Sequence, residues 1–239
     1  MSEPTDPRRL DLLIPETGFP NSDDAMEVFI AWAERDGLAL YPHQEEALLE
    51  IFSGGHVILN TPTGSGKSLV ATAMIFKAFA EAKVAYMTAP IKALVTEKFF
   101  SLCHIFGAEN VGMMTGDGTV NRDAPILICT AEILANLSLR EGEDARVHAV
   151  IMDEFHYYGD RDRGMAWQIP LLTLPQTTFL LMSATLGDTS EISDRLAQRT
   201  GTPVALITGA ERPIPLTFTW SEDPIHDTIQ SLIRREKAP

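Results

Sequence analysis

From residue 23 onward the apolar positions fall into two alternating kinds of run. HVILN (56–60), VAYMTA (84–89), VGMMTG (111–116), PILICT (125–130), VHAVIM (147–152), TTFLLMSAT (177–185), PVALITG (203–209) and PLTFTW (215–220) are short and mostly apolar, which predicts buried strands. Between them, GKSLVATAMIFKAFAEA (66–82), IKALVTEKFFSLCHIFG (91–107), AEILANLSLRE (131–141) and SEISDRLAQRTG (190–201) read as helices. Strands that lack a polar face and are separated by helices require a parallel sheet covered on both sides. The expected class is α/β: a doubly wound, mostly parallel central sheet with helices on both faces.

Two helices precede this alternation. Ser22 or Asp23 is the expected cap of AMEVFIAWAERDG, where Met26, Phe29, Ile30 and Ala33 share a side and Gly37 is the stop. HQEEALLEIFSGG follows the Tyr41-Pro42 turn and stops at Gly54-Gly55. The first 22 residues are Pro-rich and charged, which predicts a flexible arm whose patch LDLLIP (10–15) can dock locally. The expected organisation is an arm over 1–22, one domain over 23–220, and the start of a linker or second domain over 221–239, where a new helical pattern begins.

Composition narrows the partners. The chain has 239 residues, 45% of them hydrophobic, enough for a sizeable core. No run approaches the ~18 apolar residues of a membrane span, and the N-terminus is too charged for a signal peptide, so a cytoplasmic protein without membrane contact is expected. Cys103 and Cys129 sit in apolar surroundings without a CxxC spacing and read as core thiols. The net charge of -14 argues against a basic surface that grips nucleic acid. Any such contact must be local, through backbone amides, helix N-termini and a few cations.

The chemistry lies at two strand ends. In TPTGSGKS (61–68), Gly64 and Gly66 let the backbone curl around phosphates, with Thr63 and Ser65 in the same loop. Lys67 can reach the outer phosphates, and the Ser68 hydroxyl can ligate Mg2+. The loop joins a strand to a helix, the context this pattern needs, although it opens on Thr61 where Gly or Ala is usual. Asp153 and Glu154 close the strand VHAVIM, whose carboxyl end should face the same crevice. There Asp153 would hold Mg2+ and Glu154 would orient the attacking water.

In order, the chain spells YPHQEEAL, TPTGSGKS, APIKALVTEK, TGD, CTAEIL, DEFH and SAT. This series resembles the first RecA-like domain, a P-loop NTPase fold, of a superfamily 2 DExH-box helicase. DEFHYYGDRDRGMAWQIPLLTLP and RPIPL are similar to the Ski2-like group, in its bacterial branch. The resemblance implies ATP and Mg2+ as cofactors and assigns roles. Gln44 would read the adenine edge, while Leu38 and Leu40 stand where an adenine-stacking aromatic is common. His156 would join the acidic box to Ser183, Ala184 and Thr185, which couple nucleotide state to domain closure. Pro90, Lys92 and Ala93, with Thr115, Gly116 and Asp117 and with Thr130, Ala131 and Glu132, would line a single strand of nucleic acid, RNA rather than DNA on the strength of RPIPL.

The resemblance also implies a second RecA-like domain that carries arginine fingers. No QxxGRxGR-like segment occurs here, and Arg212, Arg234 and Arg235 have another context, so the expectation is an N-terminal piece that binds nucleotide but turns it over slowly. Two alternatives stay open: a DNA motor of the same superfamily, and a nucleotide-gated interaction module without catalysis.

Overall fold

The structure, a computed structural model, describes residues 8–35, 37, 39–209 and 220–234. The strand expected over 215–220, apart from Trp220, and the RPIPL turn lie outside the described residues, as do residues 1–7 and Leu38. The elements are α1 (Ser22–Ala33), α2 (Pro42–Phe52), β1 (His56–Asn60), α3 (Lys67–Ala80), β2 (Ala85–Ala89), α4 (Lys92–Phe106), β3 (Val111–Thr115), β4 (Gly118–Val120), β5 (Ile126–Thr130), α5 (Ala131–Glu141), β6 (Ala149–Met152), α6 (Gly164–Thr173), β7 (Thr178–Ser183), α7 (Ser190–Thr200), β8 (Val204–Thr208) and α8 (Ile225–Arg234).

The strands form one sheet in the order β4-β3-β5-β2-β6-β7-β1-β8, parallel except for the edge pair β3–β4. Alternate residues of the inner strands enter different cores. Val57, Met87, Ile151 and Leu180 pack with α1 to α4 around Phe29, Phe76 and Phe106. Ile58, Tyr86, Val150 and Leu181 pack with α5 to α7 around Leu134, Trp167 and Leu196. Burial on both faces is why these strands read as continuous apolar runs.

Four details differ from the sequence expectation. The N-cap of α1 is Asn21, one residue earlier than expected, whose side chain accepts the Asp24 N–H at 2.9 Å. β4 is an added antiparallel edge strand made by the hairpin over TGD. α6 follows the acidic box where the spacing alone marked no helix. The part of the expected flexible arm that is described is held: the Leu10 N–H donates to Ile105 O at 2.8 Å, and Arg9 pairs with Asp11 and Glu109 at 2.7 and 2.8 Å. Leu10 itself is fully buried beside α4. Both cysteines are free, and Cys129 is buried as expected. No helix among the described residues is long and apolar enough to cross a membrane.

His56, at the start of β1, is a buried polar group with both nitrogens used. Its Nδ1 accepts the Phe179 N–H at 3.0 Å, which requires the Nε2–H tautomer, and Nε2 donates to Thr200 Oγ1 at 2.8 Å. Burial pushes its pKa down to about 4, so the folded ring is neutral at pH 7. The unfolded ring titrates near ~6.5, so below that pH the unfolded chain binds the extra proton. The stability His56 contributes is complete above pH ~6.5 and is lost as the pH falls toward 4.

Two outcomes follow from these contacts. In urea melts, the wild-type chain should lose more stability between pH 7 and pH 5 than His56→Gln does; equal losses would contradict the neutral, doubly bonded ring. Leu10→Ala should cost about 3 kcal/mol, as for other fully buried leucines, whereas an undocked arm would show no change.

Candidate functional site

The parallel sheet delivers the candidate residues to one edge. β1 and β7 pair in the register Asn60 to Ser183, and the Thr61 N–H then donates to Ser183 O at 3.1 Å. Asn60 extends this link with its side chain, which donates to Leu186 O at 3.1 Å and accepts the Leu186 N–H at 3.2 Å. The phosphate loop and the SAT segment therefore leave the sheet together.

Within the loop, Gly64 and Gly66 have φ of +86° and +81°, a region that side chains resist. A Cβ on Gly66 would also collide with the Gln44 amide. Thr61 is fully buried, and its hydroxyl meets Ser65 Oγ at 2.7 Å, a tie across the loop. The first turn of α2 supports the loop from outside. His43 Nε2 is 2.8 Å from Ser65 O, and Gln44 Nε2 donates to Gly66 O at 3.1 Å. Gln44 Oε1 accepts the Tyr41 N–H at 2.9 Å, which leaves the side chain one N–H and one lone pair for a further partner. Tyr41 is exposed and stacks on His43 with ring centroids 5.6 Å apart.

Lys67 begins α3 and donates to Thr61 O at 2.6 Å and Pro62 O at 3.0 Å. Burial pushes its pKa below the usual lysine range, while Glu154 and Asp153 push it back up. The lysine and the two acids thus share one crevice. Ser68, in the same first turn, is exposed, and Thr63 and Gly64 are exposed at the loop's rim.

The acid pair leaves β6 beside β2, where the Asp153 N–H donates to Thr88 O at 3.1 Å. Glu154 takes left-handed backbone angles, φ 57° and ψ 44°, a strain on the order of 1 kcal/mol that turns the chain sharply toward the crevice. Its carboxylate lies 3.2 Å from His156 Nδ1, which also lies 3.3 Å from Ser183 Oγ. His156 Nδ1 thus stands between the acid and the Ser183 hydroxyl, with the donor in the Ser183 bond set by the ring's tautomer. The Thr185 N–H donates to the same Ser183 Oγ at 3.2 Å. A chain of contacts thus runs from Glu154 through His156 and Ser183 to Thr185, with Ala184 inside that turn.

Asp153 is also paired, to the last residue of APIKALVTEK, to which the resemblance assigned no role. Its Oδ2 lies 2.6 Å from Lys98 Nζ on α4, and its Oδ1 accepts the Glu154 N–H at 3.0 Å. The sequence carried a signal for this: Lys98 falls three residues after Val95 and four before Leu102, on the buried stripe of the helix. A lysine there needs a counter-charge.

The three segments expected to touch nucleic acid lie at the ends of the neighbouring strands β2, β5 and β3. Lys92, in the first turn of α4 with Ala93, is ion-paired to Asp117 in the hairpin turn after Thr115 and Gly116. Arg163, just before α6, donates to Pro90 O at 2.5 Å and to Glu132 at 2.7 Å. Thr130 caps α5, which starts at the buried Ala131. The acids Asp117 and Glu132 are therefore committed to cations, and Arg163 is a tie that motif spacing alone did not assign.

Among the described residues no cluster of His, Cys, Asp and Glu could hold a metal by itself. Ser68 and Asp153 nevertheless fit Mg2+, because this ion is commonly held by one or two protein oxygens, waters and substrate phosphates rather than a protein cage.

A family model described as DEAD/DEAH box helicase matches residues 41–192. The antiviral helicase SKI2 of Saccharomyces cerevisiae is 37% identical over 182 residues, 75% of this chain and 14% of that protein. The ATP-dependent RNA helicase mtr4 of Schizosaccharomyces pombe is 33% identical over 192 residues, 78% of this chain and 17% of that protein. The chain thus spans less than a fifth of these relatives. A solved structure of a hypothetical ATP-dependent RNA helicase from Sulfolobus tokodaii aligns with a TM-score of 0.59 at 19% identity, covering 78% of this chain and 57% of that one, a likeness of fold. The matched segment contains the phosphate loop, the acidic box and the SAT turn joined as described above, and on that match the chain belongs to the DEAD/DEAH box helicase family.

Proposed function

We propose that this chain is the first motor domain of an ATP-driven translocase acting on single-stranded RNA, completed by a second RecA-like domain. The observation that carries the reading is the connected path from Lys67 and the phosphate loop to Glu154, His156 and Ser183, which ties a hydrolytic acid to the coupling turn. Binding alone would need no such path.

In this reading Lys67 exchanges its two loop carbonyls for phosphate oxygens, and Gln44 offers its spare N–H and lone pair to an adenine edge. Exposed Tyr41, stacked on His43, supplies an aromatic face near Gln44, where Leu38 and Leu40 supply none. Ser68 and Asp153 would hold Mg2+, which supplies charge neutralisation at the transferring phosphate. Glu154, oriented by His156, positions the attacking water. The amide ends of α4 and α5 meet the strand's backbone, and this suits an acidic chain because Asp117 and Glu132 are already neutralised. RNA is favoured over DNA because the mtr4 relative is an ATP-dependent RNA helicase.

Three outcomes test this. Lys67→Ala should abolish binding of a fluorescent ATP analogue, while Glu154→Gln should keep binding and lower turnover by at least ~10²-fold. Unchanged turnover in Glu154→Gln would favour a nucleotide-gated module instead. The 239-residue chain alone should turn ATP over ~10³-fold or more slowly than a chain extended by a second RecA-like domain, because arginine fingers contribute ~10³ to 10⁵. In the extended protein, single-stranded RNA should stimulate ATPase more than DNA of the same sequence at equal salt; the reverse order would assign a DNA motor.

A further inference from the structure

Lys98 holds Asp153 by its side chain, and none of the roles above uses it. Its side chain is 18% exposed and that of Asp153 is 13% exposed, so both charges are largely withdrawn from water. Such a pair is costly to break, because either partner alone would be a half-buried, uncompensated charge. With Lys98 on Oδ2 and the Glu154 N–H on Oδ1, the carboxylate plane is fixed from two sides.

The position of Lys98 on α4 gives the contact a direction. α4 is an unbroken helix of 15 residues whose first turn is the APIKAL segment. That end is tied by Arg163 to Pro90 O and by Lys92 to Asp117. Lys98 lies six residues farther on, roughly 9 Å along the axis at 1.5 Å per residue. The same side chain borders a cavity of about 90 Å³ between α3 and α4, with Ser68 on its opposite wall. One helix therefore starts at the expected nucleic-acid face and, six residues later, places a cation on Asp153 and on the rim of a cavity that Ser68 also lines.

We propose that Lys98 is a positioning residue that holds Asp153 and competes with Mg2+ for it, so that a strand seated on the N-terminus of α4 shifts Lys98 and raises the affinity of the nucleotide site for the metal. This rests on the motor reading above. Removing the competing cation leaves a half-buried carboxylate in need of a new one, so the site should take Mg2+ more readily. By linkage, if the strand promotes Mg2+ binding through Lys98, the metal must promote strand binding by the same factor.

The test is the Mg2+ concentration that half-saturates binding of a fluorescent ADP analogue to the 239-residue chain, measured with and without single-stranded RNA. In the wild type, RNA should lower that concentration at least threefold. In Lys98→Met the value without RNA should already be low, by about the same factor, and RNA should change it less than twofold. Lys98→Arg should restore the wild-type response. Thermal melts check folding, and Lys98→Gln is the second neutral variant should Lys98→Met unfold. A merely structural lysine would lower the melting temperature and leave the Mg2+ response unchanged, and that result would overturn the proposal. Failure of the wild-type chain to bind the nucleotide at all would instead sink the motor reading together with this one.

Discussion

The parallel pairing of β1 with β7 is the constraint from which the rest of the site follows. A parallel sheet puts every strand's carboxyl end at the same edge, so loops that leave those ends must share a crevice. Here the register carries the pairing one residue past β1, and the Thr61 N–H closes on Ser183 O at the end of β7. Asn60 then clamps the turn at Leu186 from both sides. A shift of the phosphate loop is thereby a shift of the SAT turn, before any other residue is considered.

Charge is the second organising term, and it acts by pairing rather than by net sign. A chain of net charge -14 has acids at every point where phosphates are expected. Three cations neutralise three of them: Lys92 on Asp117, Arg163 on Glu132 and Lys98 on Asp153. These pairs are not alike. Lys92 and Asp117 are exposed and water screens them, so their pairing removes repulsion without holding the fold. Lys98 and Asp153 are withdrawn from water, where a charge without its partner is expensive. Only the second kind can transmit a displacement of its helix to the acid it holds.

Much of this was legible in the sequence because the sheet is covered on both faces. Six of the strands bury residues on both sides and so read as apolar runs, while β8 at the other edge buries only Ile207. β4 had no such pattern, since Gly118, Thr119 and Val120 are all exposed. α6 was recognisable only through family resemblance, because its apolar residues surround the helix and Pro170 interrupts its pattern. The arm was legible in part: Pro and charge dominate it, but its apolar patch marked the docking point, where Leu10, one backbone hydrogen bond and the Arg9 ion pairs hold it. In the site, the motif residues were visible as motifs, while the residues that orient them were not. Asn60 looks like an ordinary strand end, and Arg163 acts on residues 31 and 73 positions away. Lys98 was the exception, because a charge on a buried stripe announces a partner even when the partner is unknown.

Thr61 shows how a departure from a motif can be absorbed locally. At the loop's opening a small residue need only turn out of the strand, and a buried threonine adds a hydroxyl that must find a partner or cost about 1 to 3 kcal/mol. Ser65 supplies that partner at 2.7 Å, and Ser65 is itself held at its carbonyl by His43. Two hydroxyls that could have competed for phosphate oxygens are therefore spent on each other, inside the loop. What remains at the rim is exposed Thr63 and Gly64, with Lys67 reaching across on a tether of two carbonyl hydrogen bonds. The substitution stiffens the loop without removing any group that the phosphates would need.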